Sequence, residues 1–280
     1  MLNPAATRLE VWGDPIAHSR SPELHRAAYG VLGVDWSFER RRVDAQGFDA
    51  ALASLDGSYR GLAVTMPGKE PAFRASAQRD RRAELTGAVN TLLLAGADGP
   101  RGFNTDVGGI AAALREHGFG DARDVRILGA GATAASALVA LAELGADRVT
   151  VLARRPERAA GLVRLGAVLG VPVAPARFAE ATGAAELTIA TLPGGAALTS
   201  ADTERLASTG GPLFDVAYSP WPSALARAWH ERAVPGIGML LHQALLQIRI
   251  FLSGTPDEPL PDEPAVLAAM RKAAGDGMGG

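Results

Sequence analysis

The sequence contains no cysteine. Disulfides, thiolate metal sites and cysteine nucleophiles are therefore excluded. Lysine is nearly missing as well: of the 28 Lys and Arg residues, only Lys69 and Lys272 are lysines. Long hydrophobic runs are absent, since the most apolar stretches, such as ALVALAELGA, are short and broken by Glu143, too little to span a bilayer. No charge dominates, because 28 basic and 30 acidic residues leave a net charge of -2 and no overall basic field for nucleic acid. The N-terminal stretch MLNPAATRLEVWGDP has no basic region followed by an apolar one, so no signal peptide is expected. The expectation is a soluble, cytoplasmic protein without nucleic-acid or membrane partners. Its Ala-, Gly- and Arg-rich composition reads as coding bias, which makes the retention of Lys69 informative.

What is present is a 280-residue chain, 48% hydrophobic, able to bury one large core or two modest ones. Short β-type runs alternate with helical stretches, which predicts an α/β fold. The first half reads as strand RLEVWG, helix 22–32, strand WSFERRRV, helix 48–55, strand GLAVT, short helices through 69–86, and strand VNTLLLA. The dipeptide Asp98-Gly99 predicts a hairpin turn into RGFN. A second unit begins near Asp106 with helix GGIAAALREHG, then strand DVRILG, a glycine turn, helix ATAASALVALAELG and strand DRVTVLA, a βαβ pattern. Further strands are expected at VPVA, ELTIAT and PLFDVA, and a well-buried long helix at GIGMLLHQALLQIRIFLSG. The end, TPDEPLPDEP and a glycine-rich tail holding Lys272 near its start, is expected to be Pro-broken and mobile.

ILGAGATA, residues 127–134, places G-x-G-x-x-A between an apolar strand and an alanine-rich helix, the setting in which that weak motif becomes a dinucleotide signature. Gly129 permits the tight turn, Gly131 lets backbone approach a pyrophosphate, and Ala134 lets helix and sheet pack closely. The helix N-terminus offers N–H groups to phosphates. An NAD site calls for Asp or Glu near the end of the next strand. Here that strand ends Ala153-Arg154-Arg155, with Arg158 close behind. Guanidiniums there fork onto a 2′-phosphate, so NADP is expected over NAD. The alternative is that arginines simply open many helices in this chain.

GDPIAHSRSPELH, AVTMPGK, GAVNT, GFNTDVGG, GAGATA, DVAYSPWPSAL and GIGMLLHQA together resemble the shikimate dehydrogenase family, in its order and at its spacings, over nearly the whole length. The resemblance implies an α/β substrate domain (1–106), a Rossmann domain binding NADP(H) (107–236), and a C-terminal segment (237–280) whose helix returns to the first domain. It implies NADPH-dependent, reversible reduction of 3-dehydroshikimate to shikimate, with hydride passing between the nicotinamide C4 and the substrate C3. A monomer or homodimer would suit the family.

Residue by residue, the resemblance implies Lys69 and Asp106 as a catalytic dyad and Ser19 and Ser21 as donors to the substrate carboxylate, with Tyr218 near it. Thr65, Asn90 and Gln243 would contact ring hydroxyls, as would Asp106. Ala130, Ala132, Thr133, Thr191, Val216, Gly236 and Met239 would join Gly129, Gly131 and the three arginines around the cofactor. Read alone, Ser21 before Pro22 is also a helix N-cap, and Asn90 and Asp106 fit turn or cap roles.

The resemblance also explains the lone lysine. Carbonyl reduction puts negative charge on oxygen, which a donor must stabilise and then protonate. Arginine can do the first but is effectively never deprotonated near neutral pH. An ammonium does both. A phosphate-loop reading of PGK fails, because Gly61 lies too far upstream and Glu70 follows the lysine.

Four positions depart from the family pattern: Ala63 for a frequent Asn, Ala132 for Gly, Leu192 for Ser, and Ala153 for an Asn at the adenosine phosphate. His18, His25, His117, His230 and His242 show no metal-ligand spacing; His18 and His242 neighbour site candidates, but a buried or surface role is preferred for all five. Arg40-Arg41-Arg42 reads as solvated or ion-paired. Rival readings are a quinate/shikimate dehydrogenase, disfavoured by Ser21 and Arg154-Arg155, an aminoshikimate dehydrogenase, and a non-catalytic NADP-binding sensor, which predicts a broken dyad or serine pair.

Overall fold

The computed structural model describes residues 2–96, 98–193, 196 and 198–275. The chain divides into two compact units, Met1–Thr105 with Leu241–Gly280, and Asp106–Leu240. The first opens with β1 (Arg8–Gly13), α1 (Ser21–Leu32), β2 (Ser37–Arg42), α2 (Phe48–Ala53), β3 (Tyr59–Val64), α3 (Lys69–Ala75), β4 (Gln78–Arg79), α4 (Arg81–Thr86), β5 (Thr91–Leu93) and β6 (Arg101–Phe103). Next come α5 (Thr105–Glu116), β7 (Asp124–Leu128), α6 (Ala132–Leu144), β8 (Arg148–Leu152), α7 (Ala160–Leu169), β9 (Val173–Ala176), β10 (Leu187–Ala190), α8 (Ser200–Thr209), β11 (Leu213–Asp215), α9 (Ala226–Trp229) and β12 (Ala233–Pro235). The unit boundary passes through α10 (Ile237–Ser253), and α11 (Glu263–Ala273) ends the described chain.

The first sheet runs β2-β1-β3-β5-β6-β4. It is mixed: β1 lies parallel to β2 and β3, whereas β5 is antiparallel to both β3 and β6. The β5–β6 hairpin turns at Asp98-Gly99 as the sequence predicts, with Gly99 at φ +86; Ala97 of that turn lies outside the described residues. Trp12, Phe48, Leu62, Val64 and Leu92 form the core under this sheet. Gly61 has a clear reason to be glycine, since a Cβ would meet the Phe251 ring at 2.4 Å and the Leu92 carbonyl at 2.6 Å. The close approach seats α10 against β3.

The second sheet runs β12-β11-β10-β7-β8-β9, all parallel. This is doubly wound order, with its switch point between β7 and β10, where ligands of such sheets bind beyond the strand C-termini. Helix α6 is buried over Ala134–Leu141, because an Ala-rich surface lets it pack closely.

Two expectations need correction. Ser21 is not the N-cap of α1; Arg20 holds that position without a side-chain bond, and Ser21 is the first helical residue. The stretch TPDEPLPDEP is irregular over 255–262, as expected, but the chain after it is not. It turns into α11, whose Pro264 sits in the first turn, where a missing N–H costs nothing. Val266 and Met270 are buried, α11 packs on α1, and Arg249 grips Glu263 at 2.8 and 2.5 Å. Arg20 Nη2 donates to the Ala273 carbonyl at 3.0 Å. Lys272 thus lies in a packed helix, near the C-terminal end that favours a cation. The glycine-rich residues 276–280 and Gly194-Gly195 lie outside the described residues. No described helix is long and apolar enough to cross a membrane.

Candidate active site

In the first unit, Lys69 begins α3, directly after the turn that leaves β3. The Thr65 N–H donates to the Trp12 carbonyl at 2.8 Å, and the Gly68 N–H closes the turn onto the Thr65 carbonyl at 2.8 Å. Gly13 accommodates this turn, since a Cβ there would lie 2.4 Å from Thr65 Cγ2. The Val89 N–H donates to the Lys69 carbonyl at 3.0 Å, and the Val64 N–H to the Asn90 carbonyl at 2.7 Å. The backbones that carry Thr65, Lys69 and Asn90 are therefore tied to one another. Lys69 and Thr65 are half-buried, whereas Asn90 is buried.

Asn90 lies in a bend before β5, but most of its side-chain bonds reach far along the chain. Its Oδ1 accepts from the Thr105 N–H at 2.9 Å and the Thr91 hydroxyl at 2.9 Å. Its Nδ2 donates to Thr105 Oγ1 at 2.9 Å and to Gln243 Oε1 at 3.4 Å. Asn90 and Gln243, expected to share a ligand, thus meet side by side, one just before β5 and the other on α10. Asp106 follows Thr105 in the first turn of α5 and is buried.

Ser19 and Ser21 also come together, Ser19 Oγ lying 3.3 Å from Ser21 Oγ. The Ser19 carbonyl accepts from Arg40 Nε at 2.7 Å, and Arg40 Nη2 donates to Glu23 at 2.6 Å. Burial pushes the Glu23 carboxyl up, but the bond from Arg40, a backbone bond and the charges of Arg40 and Arg26 together outweigh it, and the net direction is down. The arginine run is indeed paired: Arg42 meets Asp14 at 2.8 Å, and Arg41 lies 4.0 Å from Glu10, over Trp12. Ala63, where the family often has Asn, is buried in β3.

In the second unit, Gly129 stands at the switch point with φ +111, and a Cβ would lie 2.6 Å from Thr191 Oγ1. Thr191 Oγ1 donates to the Leu128 carbonyl at 3.0 Å, so the two candidate residues close the ends of β7 and β10 on each other. Gly131 is the N-cap of α6, exposed, with nothing within 4 Å of a Cβ. The protein's own packing does not demand glycine there, whereas a closely approaching phosphate does. Ala132 and Thr133 are the first helical residues, behind half-buried Ala130. Beyond β8, Arg154, Arg155 and Arg158 are exposed and enter no ion pair among the described residues. Ala153 is buried, and no acid occupies the strand end. The residues present therefore fit a dinucleotide carrying an extra phosphate.

Val216 and Tyr218 are half-buried on the loop after β11. Asp215 organises that loop, accepting from the Ala217 N–H at 3.0 Å and the Ser223 hydroxyl at 2.6 Å. Burial pushes its carboxyl pKa up, and those two bonds oppose the shift. A Cβ on Gly236 would lie 2.4 Å from the Val216 carbonyl, and Met239 is half-buried in the first turn of α10.

His25 is buried, one of the two roles preferred for the histidines, whereas Thr91, Thr105, Asp215 and Gln247 were not singled out from the sequence. Two of them carried a usable signal. Thr105 adjoins Asp106, and Gln247 lies one turn after Gln243 on the same helix face.

The family model of the shikimate dehydrogenase substrate binding domain matches residues 11–92. The chain is 38% identical over 259 residues to a shikimate dehydrogenase (NADP(+)) of Methylobacterium radiotolerans, covering 87% of this chain and 90% of that one. It superposes on the crystal structure of Mycobacterium tuberculosis shikimate dehydrogenase with a TM-score of 0.80 and 38% identity, over 95% of this chain and 99% of the other. A Thermus thermophilus shikimate 5-dehydrogenase in complex with NADP(H) and shikimate aligns with a TM-score of 0.76 and 29% identity, over 95% and 99% of the two chains. With identity of this level over most of its length, the chain belongs to the shikimate dehydrogenase family.

Proposed function

We propose that this chain is an NADP-dependent shikimate dehydrogenase that reversibly reduces 3-dehydroshikimate to shikimate, with Lys69 and Asp106 as its dyad. The observation that carries the reading is the backbone tie between Lys69 and the Asn90–Gln243 pair, in a chain 38% identical to a named NADP(+) enzyme. Bound NADPH supplies the hydride. Lys69 stabilises the negative charge that develops on the C3 oxygen and transfers a proton to it, leaving a neutral amine that solvent reprotonates. Asp106 is the carboxylate that orients the ammonium and accepts from a substrate hydroxyl. Asn90, Gln243 and Thr65 recognise the other ring hydroxyls. Ser19 and Ser21 present adjacent hydroxyls to the substrate carboxylate, and Tyr218 serves the same group.

The second unit holds the cofactor. Gly129, Ala130, Gly131, Ala132 and Thr133 present the α6 N-terminus to the pyrophosphate. Arg154, Arg155 and Arg158 bind the 2′-phosphate, and Thr191, Val216, Gly236 and Met239 complete the cofactor site. The test is a set of initial rates with shikimate or quinate, each with NADP⁺ or NAD⁺. Turnover is expected with shikimate and NADP⁺. Equal rates with quinate or NAD⁺ would assign the protein to the broader-specificity relatives. NADPH binding without any turnover would point to the sensor reading.

A further inference from the structure

Behind Asn90 lies a file of buried polar groups that the proposed chemistry does not use. His25, fully buried, stacks on Phe38 with ring centroids 3.9 Å apart. Its Nδ1 lies 3.0 Å from the Tyr29 hydroxyl and its Nε2 lies 3.3 Å from Gln247 Oε1. Gln247 Nε2 donates to the Asn90 carbonyl at 3.1 Å and to Thr91 Oγ1 at 3.0 Å. Thr91 Oγ1 in turn donates to Asn90 Oδ1.

Two main-chain groups fix the direction of every bond in this file. The Thr105 N–H can only donate, so the Asn90 atom it meets is the oxygen, and Asn90 Nδ2 faces Gln243. The Asn90 carbonyl can only accept, so the Gln247 atom it meets is the nitrogen, and Gln247 Oε1 faces His25. His25 Nε2 must then carry a proton, and Nδ1 accepts from the Tyr29 hydroxyl. Buried groups without such partners cost free energy, so the file has one low-energy polarity from Tyr29 to Gln243.

We infer that Gln247, held by His25, is a positioning residue: through Thr91 it reinforces the orientation that the Thr105 N–H gives the Asn90 amide, donor end toward Gln243, and so presets both side chains for the substrate hydroxyls. Asn90 and Gln243 can then meet a ring hydroxyl without first choosing an amide orientation. The inference rests on the proposed role of these two residues in shikimate binding.

The test compares wild type with Gln247→Met, which keeps length but removes the amide, and with Thr91→Val, which removes one hydroxyl at nearly constant shape. Ser76→Ala is the control. Ser76 is also buried in the same unit, but among the described residues its hydroxyl bonds the Ala72 carbonyl, at 2.7 Å, and no member of the file. Gln247→Met and Thr91→Val are expected to raise the KM for shikimate roughly tenfold, the worth of about one hydrogen bond. The KM for NADP⁺ should not change, and Ser76→Ala should move neither. If Gln247→Met does not fold, Thr91→Val decides alone. A shikimate KM within about twofold of wild type in the folded variants, or an equal rise in Ser76→Ala, overturns the positioning role. Wild type that fails to turn over shikimate overturns instead the functional reading beneath it.

Discussion

The main-chain N–H of Val89 donates to the carbonyl of Lys69 at 3.0 Å. This bond fastens the first residue of a seven-residue helix to the segment before β5 that carries Asn90. A lysine stem is flexible and costs entropy to hold. Rooting it on a fixed helix start rather than a loop reduces the motion that must be frozen when a carbonyl oxygen is to be protonated.

On the proposed reading, the exposed arginines after β8 set cofactor choice. Arg154→Ala with Arg155→Ala should raise the KM for NADP⁺ at least about tenfold, since each charge-assisted bond to a phosphate is worth roughly 1.5–3 kcal/mol. The KM for NAD⁺, which lacks the 2′-phosphate, should stay the same or fall. Steady-state kinetics with both cofactors decides this; parallel losses would remove the arginines from the account.

The two glycines of the turn should separate stability from binding. Gly129→Ala places a side chain at φ +111, against Thr191, and should cost on the order of 1–3 kcal/mol in denaturant unfolding. Gly131→Ala meets open space and should leave the unfolding midpoint unchanged while weakening NADP⁺ binding. A Gly131→Ala protein that binds NADP⁺ as wild type does would show that no phosphate approaches there.

How much of this was legible beforehand varies by element. Strands such as β1 and β7 were readable because apolar runs bounded by turn residues declare themselves, and the glycine turn because strand, turn and helix are contiguous. Helix α11 was not, because three prolines before it mask a start that Pro264 in fact favours. The two-residue strand β4 and the short β12 have too few residues to show any period. Of the site, the motif residues were legible. The partnership of His25, Thr91 and Gln247 was not, because it joins α1, β5 and α10, and no local spacing encodes it.

Stability should fall in acid through His25. Burial holds its pKa down at about 3, against 6.5 for an open histidine. Between those values the unfolded chain binds a proton that the folded chain refuses. The stabilisation is therefore complete above pH about 6.5 and is lost at up to about 1.4 kcal/mol per pH unit as pH falls toward 3. Urea unfolding at several pH values should show a shallower slope in His25→Asn than in wild type. Identical slopes would mean that His25 becomes charged in the folded protein.

The central claim is that Lys69 moves a proton and does not merely supply positive charge. Its most direct test is kcat for shikimate oxidation with NADP⁺ in wild type, Lys69→Ala and Lys69→Arg. The account predicts that both variants lose roughly 10²–10⁴-fold, the usual worth of a general acid–base group, with the guanidinium giving no rescue. A Lys69→Arg enzyme turning over near the wild-type rate would contradict it, because charge alone would then suffice.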